Sequence, residues 1–161
     1  MKKQRLLHYL QLWYHEKICG HYSVEKNREN AMVFEFFSPG IPIILKNSGC
    51  EFIIFDMEHG GLSLEQFKTL AIISNANSIS PLIRIPEVNY NYVARALDLG
   101  AAGIMAPMVN TYEEALKIVQ SSKYPPKGVR GTGCGFAHDN KNENDSTVHL
   151  APCLDKGDVS N

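Results

Sequence analysis

From residue 31 to about residue 123, a short apolar run followed by a helix-like stretch recurs, and few folds accept that order. Ala31 to Phe37 reads as a strand. Ser38-Pro39 then supplies a capping residue and a proline suited to the first turn of a helix, which Gly49 closes. Glu51 to Asp56 reads as the second strand, and Ser63 with Gln66 has the spacing of a capping box for a helix reaching about Asn75. Pro81 to Ile85 is the third strand, with a helix from about Asn89 to Leu99 stopping at Gly100. Ala102 to Ala106 is the fourth. Thr111 and Glu114 make another capping box, and the helix they open ends before Pro125-Pro126.

Successive strand–helix units at this spacing imply parallel strands joined by right-handed crossovers. Two architectures accept them. A doubly wound sheet carries a glycine-rich turn after its first strand, and Ser38-Pro39-Gly40 is a poor match to that turn. A (β/α)8 barrel instead spreads polar residues over several strand ends. That distribution is present: Glu35 follows the first strand, Asp56, Glu58 and His59 the second, Arg84 ends the third, and a Pro107-Met108 corner follows the fourth. The expected fold class is therefore α/β, with the parallel (β/α) units of a TIM barrel. A full barrel takes about 250 residues, and a chain of 161 has room for about the first four of its eight units.

Composition narrows the function classes. With 44% hydrophobic and 20% charged residues the usage is that of a globular domain. A net charge of −1 gives no electrostatic pull toward nucleic acid or an anionic membrane, and no run is long and apolar enough to span a bilayer. Cys19, Cys50, Cys134 and Cys153 are scattered without a CxxC pair, which favours free thiols in a reducing, cytoplasmic setting.

The chemistry concentrates in Glu51-Phe52-Ile53-Ile54-Phe55-Asp56-Met57-Glu58-His59-Gly60-Gly61, an apolar run that ends in two carboxylates, a histidine and two glycines. Ligands of parallel sheets bind at such strand ends. The run itself, rich in Ile and Phe, suits a strand covered on both faces. Histidine is the residue type suited to a general base near neutral pH, and His59 stands next to glycines that let the backbone turn tightly; a hydrogen-bonded loop histidine is the alternative. Arg84 offers a fixed cation or a rim salt bridge with Glu58 or Asp56. Asp98 falls in the last turn of a helix, where the macrodipole disfavours its charge, so a compensating partner is expected.

Several segments, in order and at consistent spacing, resemble the HpcH/HpaI aldolase family of metal-dependent class II pyruvate aldolases. They are Phe55-Asp56-Met57-Glu58-His59-Gly60, Ile83-Arg84-Ile85-Pro86, Ala96-Leu97-Asp98-Leu99-Gly100-Ala101, Ala106-Pro107-Met108-Val109 and Tyr124-Pro125-Pro126-Lys127-Gly128-Val129-Arg130-Gly131. Met32 to Phe36 and Gly135 to Asp139 extend the likeness over 31–139, leaving 1–30 and 140–161 as divergent extensions.

The resemblance implies reversible aldol cleavage of a 2-oxo-4-hydroxy acid to pyruvate, or a similar 2-oxo acid, and an aldehyde, through a metal-stabilised enolate. By that resemblance His59 is the base, Arg84 faces the developing enolate oxygen, and Asp98 raises the basicity of the histidine, with Asp56 a competing partner for that role. Arg130 either holds a substrate carboxylate or pins its loop. His138 stands where better-known members carry the arginine of an Ala-Arg pair used in aldehyde binding, which leaves the aldehyde open. The family uses Mg2+, Mn2+ or Co2+, held by a Glu and an Asp in motifs of the type Gln-x-Glu and Gly-x-x-Asp-Leu. No residue here matches either ligand.

The flanks say less. The amino end is basic, with Lys2, Lys3 and Arg5 ahead of a first acidic residue at Glu16, and reads as an appended helix or a basic amphipathic presequence. Cys134, His138, His149 and Cys153 lack a standard zinc spacing. After Gly131 the pattern turns polar and aperiodic, with no strand expected to Asn161. An incomplete barrel leaves sheet edges open, so self-association, as a homo-oligomer, or pairing with a full-length relative is expected, as is an inactive role of that kind.

Overall fold

The computed structural model describes residues 30–133 and 150–152. Strands β1 (Ala31–Val33), β2 (Phe52–Asp56), β3 (Ser80–Arg84), β4 (Gly103–Ala106) and β5 (Leu150–Pro152) form one sheet. Helices α1 (Ile41–Asn47), α2 (Leu64–Ala76), α3 (Tyr90–Asp98) and α4 (Tyr112–Ser122) alternate with the first four strands. Every strand pair is parallel and the spatial order is β1-β2-β3-β4-β5. A doubly wound sheet reverses its order at a switch point. An order that runs straight through the sequence belongs to consecutive units of a (β/α) barrel.

The helices start where their caps dictate. Ser63 and Thr111 each accept from the backbone N–H of the residue three positions on, and Gln66 and Glu114 return the bond to complete two capping boxes. Asn89 caps α3 through Tyr92 N–H. At the other ends, Gly49 and Gly100 take the left-handed backbone, φ 94° and 99°, that lets the chain leave α1 and α3.

Packing separates the two faces of the sheet. Ile53 and Phe55 of β2 and Ile83 of β3 point toward the helices and are fully buried, with Phe55 meeting Phe67 of α2 edge to face at 6.0 Å between centroids. Ile104 of β4, Val93 and Ala96 of α3 and Ile118 of α4 continue this core. Phe52 and Ile54 face the other way, onto the concave side, and are only half-buried. The expectation that β2 is covered on both faces therefore holds fully for its helical face alone among the described residues.

Three details differ from the sequence reading. β1 ends at Val33 rather than Phe37, its ladder with β2 stopping at the Val33–Phe55 pair, one residue before the end of β2. α1 is capped by Gly40 and carries Pro42 in its first turn, while Ser38 makes a preceding turn in which its carbonyl accepts from Ile41 N–H at 3.0 Å. A fifth strand exists, Leu150–Pro152 beside β4, where no strand was expected; three residues are too few to leave a periodic signal. No helix among the described residues is long and apolar enough to cross a membrane.

Because Gly100 turns α3 into β4 with a positive φ, Gly100→Ala is expected to lower the unfolding free energy by about 1–2 kcal/mol. Urea denaturation followed by circular dichroism measures it.

Candidate active site

Asp56 and Arg84 are the last residues of β2 and β3 and occupy the same register position, so parallel pairing points both side chains to the concave face. They meet in a fork: Arg84 Nε donates to Asp56 Oδ1 at 2.7 Å, and Nη2 donates to Oδ2 at 2.8 Å. The same carboxylate accepts Glu58 N–H on Oδ1 at 3.0 Å and His59 N–H on Oδ2 at 3.2 Å. Asp56 is fully buried and receives donors on both oxygens. Burial raises the Asp56 carboxyl, but the hydrogen bonds from Arg84, Glu58 and His59 and the charge of Arg84 outweigh it and hold the pKa below the usual carboxylate value.

The turn after β2 is built on this pair. With the N–H groups of Glu58 and His59 tied to Asp56, the Glu58 carboxylate comes 3.2 Å from Arg84 Nε and 3.7 Å from His59 Nε2. The His59 side chain is 66% exposed, against 14% for Arg84. Gly60 passes so close to the Phe34 and Asp56 carbonyl oxygens that a Cβ would lie 2.5 and 2.7 Å from them. Its smallness serves backbone packing at the strand ends. Phe34, just past β1, lies under Arg84 with the guanidinium carbon 5.6 Å from the ring centroid.

Asp98 and Arg130 form a second pair. Arg130 Nε and Nη2 both donate to Asp98 Oδ1, at 3.1 and 2.5 Å, and the guanidinium lies 4.8 Å from the Tyr124 ring centroid. This is the compensation Asp98 needs at the end of α3. Arg130 is buried and its loop is further held by Gly131 N–H donating to Tyr90 Oη at 2.9 Å. Because α3 runs back from the end of β3 to the start of β4, Asp98 sits at the opposite end of the unit from the Asp56 cluster. The chain thus gathers Asp56, Glu58, His59 and Arg84, and pairs Asp98 with Arg130, without bringing Asp98 to His59. His138 lies outside the described residues, as do Cys134, His149 and Cys153. Glu35 and Met108, at the ends of β1 and β4, are exposed.

The sequence singles out Asp56, Glu58, Asp98 and both arginines, but it does not reveal Phe34 as the surface beneath Arg84 or the Asp98–Arg130 pairing across 32 positions. Only the fold brings those residues together.

A divalent cation prefers several unengaged oxygen ligands. Among the described residues no group of three or more His, Cys, Asp or Glu could hold a metal. Asp56 is engaged by four donors, and Glu58 is paired with Arg84. The described residues therefore do not fit a divalent metal.

Comparison with known proteins completes the description. The profile of the HpcH/HpaI aldolase/citrate lyase family matches residues 36–152. A hydroxypyruvate/pyruvate aldolase of Roseobacter denitrificans is 36% identical over 90 residues, 56% of this chain and 35% of that protein. A 4-hydroxy-4-methyl-2-oxoglutarate aldolase of Chaetomium globosum is 36% identical over 94 residues, 58% of this chain and 35% of that protein. The crystal structure of an HpcH/HpaI aldolase from Desulfitobacterium hafniense superposes with a TM-score of 0.67 at 34% identity, over 71% of this chain and 44% of that one. The chain thus spans little more than a third of the length of the curated relatives it matches.

The lowered pKa of Asp56 sets an acid limit. Its ionised form stabilises the fold fully above the ordinary carboxylate pKa of about 4, and this contribution disappears as the pH falls through the lower folded-state value. Asp56→Asn is expected to unfold at lower urea concentration near neutral pH and to lose this part of the acid dependence, read from urea midpoints between about pH 2 and pH 6.

Proposed function

Because the chain belongs to the HpcH/HpaI aldolase/citrate lyase family, we propose that it serves the aldol chemistry of 2-oxo acids, cleaving a 2-oxo-4-hydroxy acid reversibly to pyruvate, or a close relative, and an aldehyde. The observation that carries this reading is the cluster of Asp56, Arg84, Glu58 and His59 at the ends of β2 and β3. Relatives named as pyruvate and 2-oxo acid aldolases support the reaction type.

In the cleavage direction a base removes the proton of the C4 hydroxyl, the C3–C4 bond breaks, the aldehyde leaves, and the electron pair passes into an enolate of the 2-oxo acid. Protonation at C3 then gives the product. His59 is the base: it is exposed and borne on a turn tied to Asp56, and an imidazole can both take and return a proton. Arg84 is the cation assigned to the developing enolate oxygen, held by Asp56 so that little reorganisation is needed as charge accumulates. Asp56 acts through both of them. Arg130, buried against Asp98 and Tyr124, holds its loop, and Asp98 serves as its anchor. A role for His138 near the aldehyde stands as a proposal on resemblance alone. The Mg2+, Mn2+ or Co2+ expected of the family would need ligands other than the described residues, so no step here is routed through it.

A second reading, a non-catalytic partial barrel that pairs with itself or with a longer relative, is favoured by β1 and β5, which edge the sheet among the described residues, and by exposed Phe36, Ile43 and Ile44. A cytoplasmic location is proposed with either.

The test is deuterium exchange into the methyl group of pyruvate, followed by proton NMR with and without added Mg2+, Mn2+ or Co2+. Exchange is expected with the wild-type chain, lost in His59→Ala and reduced about 10²–10³-fold in Arg84→Lys, which keeps the charge but not the fork. No exchange from folded wild-type chain overturns the enzymatic reading and leaves the partial barrel, whose pairing sedimentation velocity would reveal.

A further inference from the structure

The Glu58 carboxylate sits between the Arg84 guanidinium and the His59 ring, with one oxygen 3.2 Å from Arg84 Nε and 3.7 Å from His59 Nε2. It has little freedom to be elsewhere. Its backbone N–H is bonded to Asp56 Oδ1, the next N–H along is bonded to Asp56 Oδ2, and its side chain is 18% exposed while that of His59 is 66% exposed. A fixed anion beside one nitrogen of an exposed imidazole selects which nitrogen keeps the proton.

We propose that Glu58 is the positioning residue of His59: held against Arg84, its carboxylate turns the ring so that Nε2–H faces it and Nδ1 is left bare as the proton acceptor. The deprotonation assigned above then has a stated destination, since the proton taken from substrate goes to Nδ1. It also has a stated charge balance. The imidazolium formed beside the Arg84 guanidinium places two cations close together, and Glu58 and Asp56 supply the two anions that offset them. Sequence order alone puts Glu58 beside His59; the Arg84 contact that immobilises it comes from β3.

The inference rests on His59 being the base, and its test is read without substrate or metal so that the two fail separately. Long-range proton–nitrogen NMR of the full chain, with histidine labelled, reports the tautomer of the neutral His59 ring. In the wild type the Nε2–H form is expected to dominate. In Glu58→Ala the ratio falls several-fold toward that of free histidine, and Glu58→Gln, which keeps the shape and an acceptor oxygen, retains an intermediate bias. The amide spectrum identifies which variants are folded, and Glu58→Gln preserves the test if Glu58→Ala does not fold. A tautomer ratio in either folded variant equal to the wild type overturns the proposal. A chain that shows the tautomer bias yet exchanges no pyruvate proton would sink the catalytic reading and leave the positioning of His59 intact.

Discussion

A carboxylate stripped of water is stable in a protein only when hydrogen bonds and an opposite charge replace what it lost. Asp56 meets that condition through Arg84 and the N–H groups of Glu58 and His59, and the upper end of the sheet depends on the result. The fork ties β2 to β3 where their backbone ladder runs out. The two N–H bonds fold the following turn back over the strand. One buried anion thereby fixes a guanidinium and the turn that carries a second carboxylate and an imidazole at the mouth of the concave face.

The pair can exist because of the register beneath it. Phe55 pairs with Ile83 and Asp56 with Arg84, so the apolar residues enter the helical core and the charged ones turn to the concave side in the same step. A slip of one residue would bury the ions against Phe67 and expose Phe55. Helix caps guard against that slip by fixing where each crossover starts and stops. The far end of the unit repeats the solution, with Arg130 neutralising Asp98 at a helix terminus that would otherwise disfavour it.

Much of this is legible in the sequence. Ser63, Gln66, Thr111 and Glu114 announce helix starts by local hydrogen bonds, and Gly49 and Gly100 announce ends by a backbone geometry other residues resist, so these elements lie where the sequence places them. The start of α1 is ambiguous in the sequence because both Pro39 and Pro42 suit a first turn, and the turn closed by Ile41 N–H on the Ser38 carbonyl selects the second. β5 escaped because a parallel edge strand of three residues is defined by its neighbour and not by its own pattern. In the site, the residue types were readable and the partners were not. Arg84 is open in the sequence to either Asp56 or Glu58, and the fold gives it both; Asp98 calls in the sequence for a compensating partner, and the fold supplies Arg130.

The claim on which the site depends is that Asp56 and Arg84 act as one unit. A double-mutant cycle on unfolding free energy, with Asp56→Ala, Arg84→Ala and the double variant in urea, measures their coupling directly. Each single change leaves a partner charge without its mate and is expected to cost about 3–5 kcal/mol, with the double variant costing well under the sum and a coupling of about 2 kcal/mol or more. Additive losses, with coupling near zero, would contradict the account: the two side chains would then be neighbours on the rim, and the placement of Glu58 and His59 would need another cause.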